Sequence, residues 1–181
     1  APCPQVITIL DLSYKYFREL FKKKDLYKLA LWGKYSFNRA SKVITISQSS
    51  KNDIIKEYRA DPGKIVVVYP GIKKESRIMN QESKESVKKK YDIDTEYILF
   101  VGTLQPRKNI VKLIEAFKKV SNEKKNLKLV IIGKKGWMYE QILEAPKKFG
   151  LFDKVIFLES VTDEDLPEFY KSAKCFVLPS L

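Results

Sequence analysis

The chain has 181 residues, of which 44% are hydrophobic, 12% aromatic and 31% charged, with a formal net charge of +13 and no histidine. That length admits one domain or two small ones, and the composition excludes intrinsic disorder. The missing histidine excludes Ser/His and Cys/His triads, histidine-ligated metals and a histidine base.

Two further classes drop out. Cys3 and Cys175 are the only cysteines, too few and too far apart for a disulfide framework or a metal-ligand spacing. Cys175 precedes an apolar run, so the expectation is a reduced thiol in the core. No apolar run reaches membrane-spanning length and the amino terminus lacks a signal-peptide pattern, which makes a cytoplasmic protein the simplest expectation. The positive charge is uneven: residues 1–75 carry a balance of +8 and residues 76–181 of +5. Such a surface favours anionic partners, namely nucleotides, nucleic acid or acidic lipid headgroups. Plain solubility accounts for the scattered lysines.

In chain order, strands alternate with helices, the pattern of an α/β fold with parallel sheets. Val6 to Leu10 reads as a strand ending near Asp11. Residues from Tyr14 to Ala40 read as largely helical and unusually aromatic. Within them Phe17, Phe21, Leu31, Trp32 and Tyr35 mix with Lys22, Lys23 and Lys24, which suits either a helix pair on a sheet or a membrane surface. Val43 to Ile46 is a second strand. Ser47, Ser49 or Ser50 can cap a helix carrying Ile54, Ile55 and Tyr58. A turn at 61–64 leads to a strand from Ile65 to Val68, closed by Pro70-Gly71. Polar residues then dominate to about Lys90, read as a linker from 72 to 83 and a short exposed helix from 84 to 90. Four βα units follow from Tyr97. In the third, Pro167 fits a first helical turn, Thr162 to Asp165 a capping turn, and Leu166, Phe169, Tyr170 and Ala173 the buried face.

The segment from Tyr97 to Ile110 carries the most chemistry. An apolar run, Ile98 to Val101, reads as a strand buried on both faces. Gly102 and Thr103 end it, and Pro106 keeps the chain out of strand or helix. Ile110, Leu113, Ile114, Phe117 and Val120 then recur at helical spacing. Arg107 and Lys108 therefore fall where a strand's carboxyl end feeds a helix amino terminus, whose free N–H groups and positive dipole end suit an anion. Arg107 can chelate two phosphate oxygens, and Lys108 adds a compact charge. A solvated basic turn is the plain alternative. The pattern Gly133-Lys134-Lys135-Gly136 also admits a phosphate cradle or a solvated turn. Asp11 admits a helix cap, a catalytic carboxylate or neither.

The ordered set of segments resembles the group 1 (family 4) nucleotide-sugar glycosyltransferases of GT-B fold. Val101-Gly102-Thr103-Leu104-Gln105-Pro106-Arg107-Lys108-Asn109-Ile110 with Leu113-Ile114-Glu115-Ala116-Phe117 is similar to the family's donor segment. Leu129 to Gly133 with Gly136 to Glu140, Val155 to Leu158 with Asp163 to Tyr170, and Phe176 to Ser180 match the following units. Val43 to Ile54 and Ile65 to Ile72 resemble the end of the acceptor domain and its linker. The resemblance implies two Rossmann-like half-domains with parallel sheets flanked by helices. Residues 1–72 correspond to the C-terminal part of the acceptor-side domain, 73–95 to a linker and lead-in, and 96–181 to the N-terminal part of the donor domain, so that both ends look cut.

It further implies a retaining transfer of a hexose such as mannose from a nucleotide diphosphate sugar to a glycan or lipid-linked acceptor. Gly102, Arg107 and Lys108 would meet the donor phosphates, with Gly133, Lys134, Val161 and Thr162 in the donor's vicinity. Asp11 is the candidate catalytic residue. No metal or other cofactor is expected, and no nucleic acid, whereas peripheral contact with the inner face of an anionic membrane is. The chain departs from the family at Leu10, where His-Asp is the usual pair, and the family's two glutamates would fall beyond residue 181. A non-catalytic α/β module that keeps the nucleotide-phosphate site is therefore the second expectation.

Overall fold

A computed structural model describes residues 3–71, 87 and 89–181. The chain divides into two compact units, Ala1–Lys73 and Lys74–Leu181. The expected linker from 72 to 83 and the first part of the helix from 84 to 90 lie outside the described residues.

The first unit contains β1 (Val6–Thr8), α1 (Ser13–Tyr16), a 3₁₀ turn (Arg18–Leu20), α2 (Lys23–Arg39), β2 (Lys42–Thr45), α3 (Gln48–Tyr58) and β3 (Ile65–Val67). Its sheet is parallel in the order β1-β2-β3, with Ile7 opposite Val43 and Ile44 opposite Val66. β1 is shorter than the sequence suggests, ending at Thr8, although Ile9 N–H still donates to the Ile44 carbonyl at 2.9 Å. Of the three candidate caps Ser47 is the one used: its hydroxyl accepts from Ser50 N–H at 3.0 Å. Leu12, Tyr14, Phe37, Val43, Ile54 and Ile65 form the core.

The second unit contains β4 (Tyr97–Val101), a 3₁₀ turn (Pro106–Lys108), α4 (Ile110–Glu123), β5 (Lys128–Ile132), α5 (Glu140–Phe149), β6 (Val155–Leu158), α6 (Leu166–Ser172) and β7 (Cys175–Phe176). Its sheet is parallel in the order β6-β5-β4-β7. Leu99 pairs with Val130 and Phe100 with Ile131, and all four are fully buried. One face packs Phe100, Leu129 and Ile131 against α4 and α5 through Ile110, Ile114, Phe117 and Ile142. The other packs Leu99, Val130 and Ile132 against Val87, Ile93 and Phe169. The α4 stripe holds at Ile110, Leu113, Ile114 and Phe117, but Val120 is exposed and Ser121 is buried in its place.

Three expectations are corrected. Cys175 is exposed, and so is Phe176, because β7 is a two-residue edge strand paired on one side only, to β4. Leu166, Phe169 and Ala173 of the expected α6 face pack on the core, but Tyr170 is exposed and Glu168 is buried. Val87, within the helix expected to be exposed, is buried in the second unit's core with Ile93, and Tyr91 packs against them.

Each unit holds one tryptophan, Trp32 and Trp137, so the two can be followed separately in denaturant. Ser47→Ala removes the cap of α3 and should destabilise the first unit by about 1 kcal/mol, shifting the Trp32 signal of a Trp137→Phe background. Phe100→Ala should cost the second unit about 3–5 kcal/mol and shift the Trp137 signal of a Trp32→Phe background.

Candidate functional site

Two loops at the carboxyl ends of β4 and β5 are locked together. Beyond the strands their ladder continues: Gly102 N–H donates to the Ile132 carbonyl at 2.8 Å, Leu104 N–H to the Lys134 carbonyl at 2.9 Å, and Gly136 N–H to the Leu104 carbonyl at 2.9 Å. β6 joins in through Gly133 N–H, which donates to the Leu158 carbonyl at 2.8 Å. The packing leaves no room for side chains here. A Cβ on Gly133 would sit 1.9 Å from the Gly102 carbonyl oxygen, and Gly102 itself adopts φ +156°. Glycine is therefore required by contact at 133 and by backbone conformation at 102.

Arg107 and Lys108 stand between the end of β4 and the start of α4. They occupy the 3₁₀ turn before it, started by Pro106 and closed by Asn109 in the left-handed conformation (φ 57°, ψ 30°). Asparagine tolerates that conformation better than most residues, and it lets the chain turn from the 3₁₀ axis into α4. Asn109 makes no side-chain cap, so α4 keeps first-turn N–H groups without a side-chain acceptor. The Leu181 N–H donates to the Arg107 carbonyl at 3.0 Å and fixes the turn from the other side.

The two cations have no counterion among the described residues: no salt bridge includes Arg107 or Lys108. Arg107 Nε is buried without a hydrogen-bond partner, and so is the Oε1 of Gln105, two residues earlier. A buried donor left unpaired costs free energy until an acceptor reaches it. Lys108 folds back over the β4 end, with its Cε 4.0 Å from the Cβ position of Gly102. Gly102, Lys108 and Gly133 are thus brought together, with Arg107 in the same turn. Lys134 is exposed and contributes its backbone carbonyl to the loop lock.

Beside this lock is a cavity of about 250 Å³ lined by Leu104, Gly133, Lys135, Leu143, Phe157 and Glu159, among others. The sequence reading missed Leu104, Phe157 and Glu159. Their position at strand carboxyl ends was the available signal, since ligands of open parallel sheets bind there.

Val161 and Thr162 lie in the next loop, after β6. Val161 is partly buried against the Phe169 side of the sheet, and Thr162 is exposed. This loop is built by Asp165. Its backbone N–H donates to Thr162 Oγ1 at 3.2 Å, while its carboxylate accepts from Lys90 Nζ and Tyr91 OH, both at 2.7 Å. The bond from Lys90 is the main reason the Asp165 carboxyl titrates below its ordinary value of 3.8.

Asp11 belongs to the first unit. Its Oδ1 accepts from the Ser13 N–H at 2.9 Å and the Ser13 hydroxyl at 2.6 Å, which makes it the turn former ahead of α1. It also lines a cavity of about 480 Å³ at the carboxyl end of β1, with Leu10, Tyr14, Phe21, Trp32 and Tyr58. The Tyr14 and Tyr58 hydroxyls pair there at 3.0 Å, and burial pushes the Tyr58 phenol well above its ordinary value.

The family model described as glycosyl transferases group 1 matches residues 81–181, more than half of the chain. The chain belongs to the group 1 glycosyl transferases. A second model, glycosyltransferase family 4, matches residues 1–76 of this group 1 chain. Among its relatives is the O-antigen chain mannosyltransferase RfbU of Salmonella typhimurium, 30% identical over 98% of the chain and 46% of RfbU. Another is the serotype-specific mannosyltransferase WbdA of Escherichia coli, 29% identical over 99% of the chain and 22% of WbdA. The chain thus spans under half the length of these curated relatives. Among solved structures, Anabaena HepE in complex with UDP and glucose superposes with a TM-score of 0.79 at 17% identity, covering 98% of the chain and 46% of HepE. WaaG, a glycosyltransferase involved in lipopolysaccharide biosynthesis, gives 0.74 at 22% identity, covering 98% and 51%. The group 1 chain has the parallel, helix-flanked α/β architecture of these GT-B proteins.

Two measurements check the site's construction. Gly133→Ala should cost the second unit more than about 4 kcal/mol in a denaturant melt, whereas the exposed Lys134→Ala should stay within about 0.5 kcal/mol. Asp165, held below 3.8 in the folded state, contributes stability that is complete above that value and is lost as pH falls through the depressed one. The wild type should therefore lose stability more steeply than Asp165→Asn on acidification below about pH 4.

Proposed function

We propose that the chain is the part of a retaining glycosyltransferase that holds the donor's diphosphate, in an enzyme moving a hexose such as mannose from a nucleotide diphosphate sugar to a glycan or lipid-linked acceptor. The observation that carries this reading is the pair of cations, Arg107 and Lys108, with no counterion among the described residues and a buried unpaired Nε on Arg107. Arg107 offers a fork to two phosphate oxygens and Lys108 a point charge beside it. When a sugar–phosphate bond breaks, negative charge grows on the departing phosphate, and fixed cations there stabilise the transition state more than the ground state.

The locked glycine loops add backbone surface that a ligand can approach closely. The cavity beside Gly133 has apolar walls in Leu143 and Phe157 and charged groups in Lys135 and Glu159, a lining suited to the rest of a nucleotide. In this reading the cations do the work of charge neutralisation and no metal is required. The mannosyltransferase names of RfbU and WbdA support a hexose, and mannose in particular. The +13 charge supports contact with an anionic membrane surface.

A second reading has its own observation. Leu10, exposed at the mouth of the larger cavity, stands where the family usually carries the histidine of its active site. That favours a module which binds nucleotide phosphate without turning over.

Calorimetric titration with UDP and GDP decides the site. The wild type should bind at least one of them, and the Arg107→Ala, Lys108→Ala double variant should lose about tenfold or more, the scale of charge-assisted hydrogen bonds removed from a phosphate. Equal affinity in both proteins refutes the assignment. Incubation with GDP-mannose separates the two readings: donor hydrolysis or transfer that disappears in Asp11→Asn supports catalysis, and nucleotide binding without turnover supports the module.

A further inference from the structure

Among the described residues, four buried side-chain polar atoms have no hydrogen-bond partner, and two of them stand in one turn: Oε1 of Gln105 and Nε of Arg107. The first is an acceptor and the second a donor. The other two are remote from this turn. Thr45 Oγ1 belongs to the first unit, and Thr95 Oγ1 lies at the amino end of β4, whereas Gln105 follows its carboxyl end. An unpaired buried polar group costs free energy, and an acceptor and a donor side by side lose that cost together when they pair.

The backbone leaves only the side chains free to move. Gln105 is extended (φ −155°, ψ 154°), and its carbonyl accepts from the Lys108 N–H at 3.0 Å. The Arg107 carbonyl accepts from the Leu181 N–H, also at 3.0 Å. Pro106, between them, has a fixed φ. The glutamine stem rests against the loop lock, its Cβ 3.4 Å from where a Cβ on Gly136 would stand, and the residue is only 6% exposed. Two residues span at most about 7 Å of backbone, a gap that a glutamine and an arginine side chain close between them.

A ligand arriving from solvent does not reach a buried Nε, so an anion meets the guanidinium at its Nη atoms. The Nε–H then faces the protein, where Gln105 Oε1 is the unpaired acceptor. We propose that Gln105 is a positioning residue: it accepts a hydrogen bond from Arg107 Nε when the fork takes up a phosphate, and so fixes the plane of the guanidinium. A carboxylate at this position would also fix that plane, but it would offset the charge that draws the phosphate. A neutral amide orients the cation and leaves its charge whole. Gln105 acts through Arg107 and not on the ligand. The inference rests on the donor-phosphate reading above and names the residue that aims its fork.

The test is a double-mutant cycle on the full chain, read by calorimetric titration with inorganic pyrophosphate, UDP and GDP. Gln105→Met keeps the length of the side chain and removes the acceptor. Arg107→Lys keeps the charge and removes Nε and the fork. Gln105→Met should bind about tenfold more weakly than the wild type, the scale of a hydrogen bond to a charged group. In the Arg107→Lys background the same change should alter affinity by less than about twofold. The denaturant midpoint of Gln105→Met without ligand should equal or exceed that of the wild type, because a buried unpaired acceptor has gone. Wild-type affinity in Gln105→Met, an equal loss in both backgrounds, or a loss of affinity matched by a fall in the midpoint would each overturn the inference alone. The reading beneath it fails differently. A wild type that binds none of the three ligands, or binding that both Arg107→Lys and the Arg107→Ala, Lys108→Ala variant leave unchanged, removes the phosphate site and this inference with it.

Discussion

The second unit depends on one close approach, the Gly102 carbonyl against the Cα of Gly133. Parallel strands usually diverge into independent loops at their carboxyl ends. Here the absence of two side chains lets the β4 and β5 ends stay in register beyond the sheet, and the ladder extends to Leu104 and Gly136. Leu104 is buried as a result. The next residues then have little freedom: Gln105 is buried, Pro106 starts the 3₁₀ turn, and Arg107 and Lys108 are delivered beside the locked ends. The cations owe their placement to backbone packing, because no salt bridge among the described residues holds them.

Much of this was legible in the sequence. The apolar runs of β4 and β5 and the stripe on α4 named the sheet, its parallel sense and most of its core, because burial on both faces leaves a continuous hydrophobic signature. Gly102, Arg107 and Lys108 were legible as neighbours of a strand end. What the sequence could not supply was geometry set by distant partners. The left-handed Asn109 and the 3₁₀ turn that carries the cations ahead of α4 were not legible in the sequence. Leu104 and Phe157 came to one cavity only through strand order. Cys175 and Phe176 looked like core because composition does not distinguish a central strand from an edge one. Tyr170 looked like core because helical spacing alone does not show that Glu168 is buried instead.

The first unit poses a different physical problem. Its three-stranded sheet shares one core with α2 and α3, which meet through the Phe37 and Tyr58 rings 4.9 Å apart, while most of the apolar side chains of α2 stay exposed. A helix usually reveals its burial direction through its periodicity. In α2 large apolar residues lie both on the side of Phe37 and Leu26 and on the side of Tyr27, Leu31 and Tyr35, so periodicity alone could not tell which side would meet the sheet. The structure resolves this through Phe37 and Leu26.

The grip of Lys90 and Tyr91 on Asp165 reaches across 75 and 74 residues of sequence. With Val87 and Ile93 buried against Phe169, it makes the segment before β4 part of the fabric of the second unit. Contacts of such sequence separation form late, since a large loop must close before they reward the chain. The order of the loop after β6 therefore depends on closing a stretch of about 75 residues. A protein engineer isolating this unit by cutting at residue 96 would remove this strap, and would obtain the sheet without the partners that hold Asp165.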